Sequence, residues 1–152
     1  MTPASWRFGS NTWEADLQHW YGYHSETSMG YPYAPADGSR MYLTRLPKQL
    51  EIGDWLWVVE GDARATRRYS LVDCFEVAAI ERGPFAGVHA RFGGKVASPT
   101  SLLKFPVGLN RADAWFADLH AKFITKQKFV SRLTDHPEIV RGLKASTTMA
   151  AN

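Results

Sequence analysis

At 152 residues, with 45% hydrophobic and 22% charged residues, the chain has the size and mixture of one globular domain, which excludes a disordered or fibrous protein. The formal charge of +3 is uneven: residues 1–94 hold nine Lys+Arg against eleven Asp+Glu, and residues 95–152 hold nine against four, so the last third can either meet a phosphate backbone or simply solvate helix surfaces. One cysteine, Cys74, excludes an intrachain disulfide and fits a reducing compartment, and no apolar run approaches the roughly 18 residues that span a bilayer, so a soluble cytoplasmic domain without membrane contact is expected.

The start, Met1–Arg7, lacks a basic segment followed by an apolar run, so no signal peptide is expected. Aromatic residues then crowd the first third, interleaved with Gly22, Gly30, Pro32, Pro35 and Gly38. That mixture predicts short strands and structured loops. The spacing of Trp13, Leu17 and Trp20 predicts a short helix over 13–20. Asp54–Glu60 is apolar on both faces and reads as a central strand, with Ile52-Gly53-Asp54 turning into it. Tyr69–Ile80 reads as one long strand, and the loop between the two carries Arg64, Arg67 and Arg68. Gly87–Phe92 and Leu102–Val107 are further predicted strands, the second pushed to an edge by Pro106.

The pattern changes at Asn110, which can cap a helix together with Asp113. Trp115, Leu119 and Phe123 form its apolar stripe, leaving Lys122, Lys126 and Lys128 to water. A second helix is predicted from Asp135, burying Ile139, Val140 and Leu143, and a small polar tail follows. The expected architecture is α+β, one domain over 1–145 with a flexible tail at 146–152, its helices covering a mostly antiparallel sheet or small barrel.

The sequence holds no Gly-rich phosphate loop, no HExxH and no nucleophile elbow. With one cysteine and no histidine pair at ligand spacing, neither a metal nor another cofactor is expected, and Cys74 reads as a buried structural thiol. Asp73 and Glu76 interrupt the apolar strand Leu71–Val77. A carboxylate there either reads a base edge or acts as a base, or it faces solvent or pairs with an arginine. The densest signal is His19-Trp20-Tyr21-Gly22-Tyr23-His24-Ser25. Flat rings beside small hydrogen-bonding residues suit a pocket that stacks a planar ligand, and they equally suit a core.

Three segments together resemble the EVE domain of the PUA-like superfamily, which also includes YTH, ASCH and SRA-type readers: Trp6-Arg7-Phe8-Gly9-Ser10, Ile52-Gly53-Asp54-Trp55-Leu56-Trp57, and Leu71-Val72-Asp73-Cys74-Phe75-Glu76-Val77. Trp20-Tyr21-Gly22 falls where that family carries a pocket-lining Trp-x-Gly. The family continues with Val-Arg-Asn, and here Tyr23, His24 and Ser25 stand instead. The resemblance covers residues 6 to about 80. It implies a small PUA-like β-barrel with flanking helices, a pocket for a flipped or modified base, and a role beside a nuclease or other protein partner. Lys48 and Glu51 superficially match an ASCH-type Lys-x-x-Glu, but they read as the lead-in to the turn at Gly53.

The expected function is a non-catalytic module that binds DNA or RNA. Trp6, Trp20, Tyr21, Gly22 and Tyr23 would form the pocket, and Ser10, His24, Ser25 and Asp73 would line it with polar groups. Arg64, Arg67, Arg68, Lys126 and Lys128 would hold phosphates. The alternatives are a protein-interaction accessory module and a small nucleoside-directed hydrolase.

Overall fold

Three runs of alternating aromatic and aliphatic residues build the centre of the fold as adjacent strands, covered on both faces. The structure, a computed structural model, describes residues 18–34 and 38–151. In chain order the elements are β1 (His19–Ser25), α1 (Glu26–Met29), β2 (Ser39–Leu43), β3 (Trp55–Gly61), β4 (Tyr69–Glu76), β5 (Ala79–Arg82), β6 (Gly94–Ser98), β7 (Val107–Leu109), α2 (Ala114–Leu119), β8 (Val130–Arg132) and α3 (Pro137–Ala151). A wider helical turn, His120–Ile124, prolongs α2. The architecture is α+β, with a five-stranded sheet in the order β7-β4-β3-β1-β8 and a three-stranded sheet in the order β2-β6-β5. Among the described residues these sheets do not close into a barrel. All pairings are antiparallel except β1 with β3. The chain between those two strands crosses through β2, the long connection that parallel pairing requires.

Strand alternation sorts the side chains into two cores. Tyr21 and Tyr23 of β1, with Trp57 and Val59 of β3, pack under Phe116, Leu119, Phe123, Ile139 and Leu143. Trp20 of β1, with Leu56 and Val58 of β3, faces Met41, Leu43 and Val96 of the smaller sheet. The result is three layers: helices, large sheet, small sheet. A bulge opposite Val58/Val59 leaves Val72 as an extra residue in β4. It shifts the alternation there, so that Leu71 and Cys74 lie on the helix side and Phe75 on the other.

Several sequence expectations change. Residues 13–17 of the predicted helix lie outside the described residues, and from His19 onward the chain is strand. Two cores with strand alternation outweigh the helical spacing of the aromatics, and the aromatic run is β1 rather than a loop. The long strand over 69–80 divides at Val77–Ala78. Val77 N–H bonds to Asp54 in the large sheet's layer, whereas Ala78 N–H bonds to Ala97 of β6. The chain changes sheets at that point. Gly87–Phe92 is not a strand: Gly87 adopts φ 66°, and only a single helical turn, Gly87–His89, forms. The strand comes later, at Gly94–Ser98. Of 102–107 only Val107 is extended into a pairing, as the first residue of edge strand β7. Asp113, not Asn110, stands at the N-cap position of α2, without a side-chain capping hydrogen bond, while the Asn110 side chain accepts the Ala112 N–H at 2.8 Å. Helix α3 runs to Ala151, across most of the segment read as a tail.

Candidate functional site

A cleft of about 1000 Å³ opens where β1 runs into α1. One wall is Tyr23, His24 and Ser25 from the end of β1, with Tyr31 and Tyr33 beyond α1. The opposite wall is β2 and the segment after β5, carrying Arg40, Tyr42, His89 and Arg91. Gln127 and Phe129 close one end. In the turn before β8, Gln127 takes a left-handed φ of 57°. Tyr42 and His89 stack nearly parallel, 3.8 Å between ring centroids. The Arg91 guanidinium lies over Phe92 at 4.9 Å and reaches across to the carbonyl of Ser28 at 3.3 Å. It therefore ties one wall to the other. The charged lining residues are Arg40, Arg45, Arg91 and Lys95, and no carboxylate lines the cleft among the described residues. Lys95 is paired with the exposed Glu81 at 3.3 Å.

The polar groups behind this wall are few and buried. His24 is 5% exposed, with Nδ1 at 3.0 Å from Glu60 Oε2. That oxygen also accepts the Tyr33 backbone N–H at 2.6 Å. Among the described residues Nε2 of His24 is buried without a partner, an arrangement that costs about 1–3 kcal/mol when nothing satisfies it. Burial pushes the His24 pKa down to about 4, so the ring is neutral at pH 7. Burial raises the carboxyl of Glu60 above its ordinary value, opposed by the Tyr33 N–H. The Tyr33 hydroxyl donates to Asp73 Oδ2 at 2.5 Å, and its pKa is raised by burial and by that carboxylate.

The structure brings together only part of the sequence-derived site. Tyr23, His24 and Ser25 line the cleft, and Ser25 also caps α1 by accepting the Ser28 N–H at 3.2 Å. Trp20 does not line it: the ring is buried between the sheets and its Nε1 donates to the buried Asp54 at 2.9 Å. Tyr21 belongs to the helix-side core. Gly22 is where β1 meets the small sheet, and an added Cβ would lie 2.8 Å from Met41 Sδ. Asp73 is neither solvent-facing nor paired with an arginine. It accepts from the hydroxyls of Tyr33 and Ser101 and from the Cys74 N–H, behind the wall rather than on it. Trp6 and Ser10 lie outside the described residues. Cys74 is buried, and burial raises its thiol pKa.

The basic residues scatter. Arg64 pairs with Asp62 at 3.3 Å. Arg67 donates to Tyr23 Oη at 3.4 Å and Thr27 Oγ1 at 3.3 Å, so it braces the cleft wall from outside. Arg67 and Arg68 also line a second concavity, of about 640 Å³, with Asn110 and Arg111. Lys126 and Lys128 are exposed on either side of Gln127 at the cleft's end. Lys48 and Glu51 are exposed and line no part of the cleft. The residues that sequence reasoning missed are Tyr31, Tyr33, Arg40, Tyr42, His89 and Arg91. The Tyr- and Pro-rich composition of 29–41 was a signal for Tyr31, Tyr33 and Arg40, and nothing in the sequence pointed to Tyr42, His89 or Arg91.

Comparison of the chain with protein families, with curated proteins and with solved structures finds no match. No helix among the described residues is long and apolar enough to cross a membrane.

Proposed function

We propose that the cleft binds a nucleotide within a DNA or RNA strand, holding the base against its aromatic wall and the phosphates on its cationic rim, without catalysing a reaction. The observation that carries this is the lining itself: among the described residues, four cations and no carboxylate surround a cleft rich in Tyr, His and Phe. Base stacking on an aromatic ring is worth about 1–3 kcal/mol and tolerates any base. Arginines supply the phosphate contacts that fix register. The resemblance to the EVE domain supports the same reading. Two of its three segments fall on or run into β3 and β4, the neighbouring strands at the centre of the large sheet. A PUA-like ancestry and a preference for a modified or flipped base belong to this proposal.

The test is fluorescence-polarisation binding to short labelled DNA and RNA oligonucleotides, with and without modified cytosine or adenine, at two salt concentrations. Salt-sensitive binding that is lost in the double variant Arg40→Glu, Arg45→Glu is the expected result. Absence of binding to every oligonucleotide at low salt overturns the reading. A protein partner is the second reading, favoured by the apolar rim: Val88 is 80% exposed and Phe129 47%.

A further inference from the structure

The wall of the cleft carries a buried acceptor that the fold itself leaves unused. His24 Nδ1 faces Glu60 Oε2, an oxygen that already accepts the Tyr33 N–H. A carboxylate oxygen in that position places the imidazole proton on Nδ1. The tautomer follows from the hydrogen-bond network. Nε2 is then a lone pair, excluded from water and without a partner among the described residues. In a cleft lined by cations and hydroxyls this is a different kind of group: a fixed acceptor on a side chain that is 5% exposed.

We infer that His24 is the specificity-determining residue of the cleft, its Nε2 accepting a hydrogen bond from an N–H on the edge of a planar base, either an exocyclic amine or a ring imide. This rests on the nucleic-acid reading and deepens it. Glu60 is the positioning residue, holding the ring's tautomer and orientation. Tyr31, 41% exposed, rests its ring against the imidazole with centroids 5.7 Å apart. In the inferred complex Tyr31 turns outward and the ligand's N–H approaches Nε2 in the plane of the imidazole, where the lone pair lies. A site built around a buried acceptor discriminates strongly, because a ligand without the matching donor leaves that acceptor unpaired.

The lone pair persists through the neutral range and becomes an N–H donor only when the ring is protonated. The titratable groups facing the pair are Tyr31 and Tyr33 on His24, and Tyr23 beside Glu60. Glu26 and Asp62 act on Glu60 through their charges. Arg40, Arg45, Arg91, His89 and Lys95 stand elsewhere along the cleft.

The experiment is a long-range ¹H–¹⁵N correlation spectrum of the ¹⁵N-labelled full chain near neutral pH, alone and with the same DNA and RNA oligonucleotides, beside polarisation binding of wild type and His24→Phe. The free protein should show His24 with a proton on Nδ1 and an unprotonated Nε2. A bound oligonucleotide should shift the Nε2 resonance, and His24→Phe should bind it about tenfold more weakly, the size of one hydrogen bond. If the substituted chain fails to fold, the wild-type spectra still decide. A proton on Nε2 of the free protein overturns the inference. So does an oligonucleotide that binds wild type, leaves Nε2 unmoved and binds His24→Phe equally well, and that outcome leaves the nucleic-acid reading intact. Absence of oligonucleotide binding by wild type overturns both.

Discussion

A buried neutral imidazole makes folding sensitive to acid whatever it binds. His24 has its pKa held at about 4 in the folded chain by burial, against about 6.5 when unfolded. Its folded pKa is depressed, so between those values the unfolded chain binds a proton that the folded chain does not, and stability falls as pH drops through that window. His120, lowered by burial and by Arg111, acts in the same direction. Glu60 is raised and opposes them, but only as pH approaches its own folded value. Urea unfolding should therefore show a loss of about 2 kcal/mol from His24 alone between pH 7 and pH 5. A flat profile over that range would mean that His24 is solvated or paired. Tyr33→Phe probes the neighbouring contact. Removing the hydroxyl leaves the buried Asp73 carboxylate short of one donor, and a stability loss of about 1–3 kcal/mol is expected in urea at pH 7. An unchanged midpoint would show that Ser101 and the Cys74 N–H satisfy Asp73 unaided.

At the scale of elements, α3 lies against α2 through a residue that propensity alone would replace. Gly142 is in mid-helix, where Ala is intrinsically better by about 1 kcal/mol. A Cβ there, however, would stand 2.1 Å from Cδ2 and 2.2 Å from Cγ of the Trp115 ring. The indole cannot yield as the end of a flexible chain can, so Gly142→Ala should be destabilising by about 1–3 kcal/mol, read by thermal or urea unfolding. A gain in stability would show that the two helices can separate without cost. The same competition explains what was legible in the sequence. β3 and α3 are strongly patterned, and their burial follows from apolar spacing; in α2 the spacing places Leu119 and Phe123 in the core but misses Phe116, which is fully buried while Trp115 is only partly so. β2 and β8 were not read, since five and three residues carry too little pattern. The division of 69–82 into two strands depends on hydrogen bonds to Asp54 and Ala97, partners remote in sequence. For the site, Tyr23, His24 and Ser25 were legible because they end an aromatic run. Trp20 and Tyr21, in the same run, went to the cores, because strand alternation and two covering layers decide which ring faces what.

At the scale of the whole molecule, the question is which cations a bound strand meets. Arg45 lines the cleft beside β2, whereas Arg111 lies just beyond edge strand β7. In the large sheet β7 and β1 are separated by β4 and β3. Three strand spacings put them about 14 Å apart. At physiological salt charges are screened beyond about 8 Å, so Arg111 contributes little to a ligand seated at the end of β1. Each phosphate neutralised on a single strand adds about 0.7 to the slope of log affinity against log salt. Arg45→Gln should therefore lower that slope by about 0.7 and weaken binding similarly for all sequences, while Arg111→Gln should leave it unchanged. Salt titrations of the two variants against one oligonucleotide read this directly. Equal loss in both would mean that the strand runs from the cleft past Arg67 and Arg68 to the β7 edge, making the second concavity part of one continuous track.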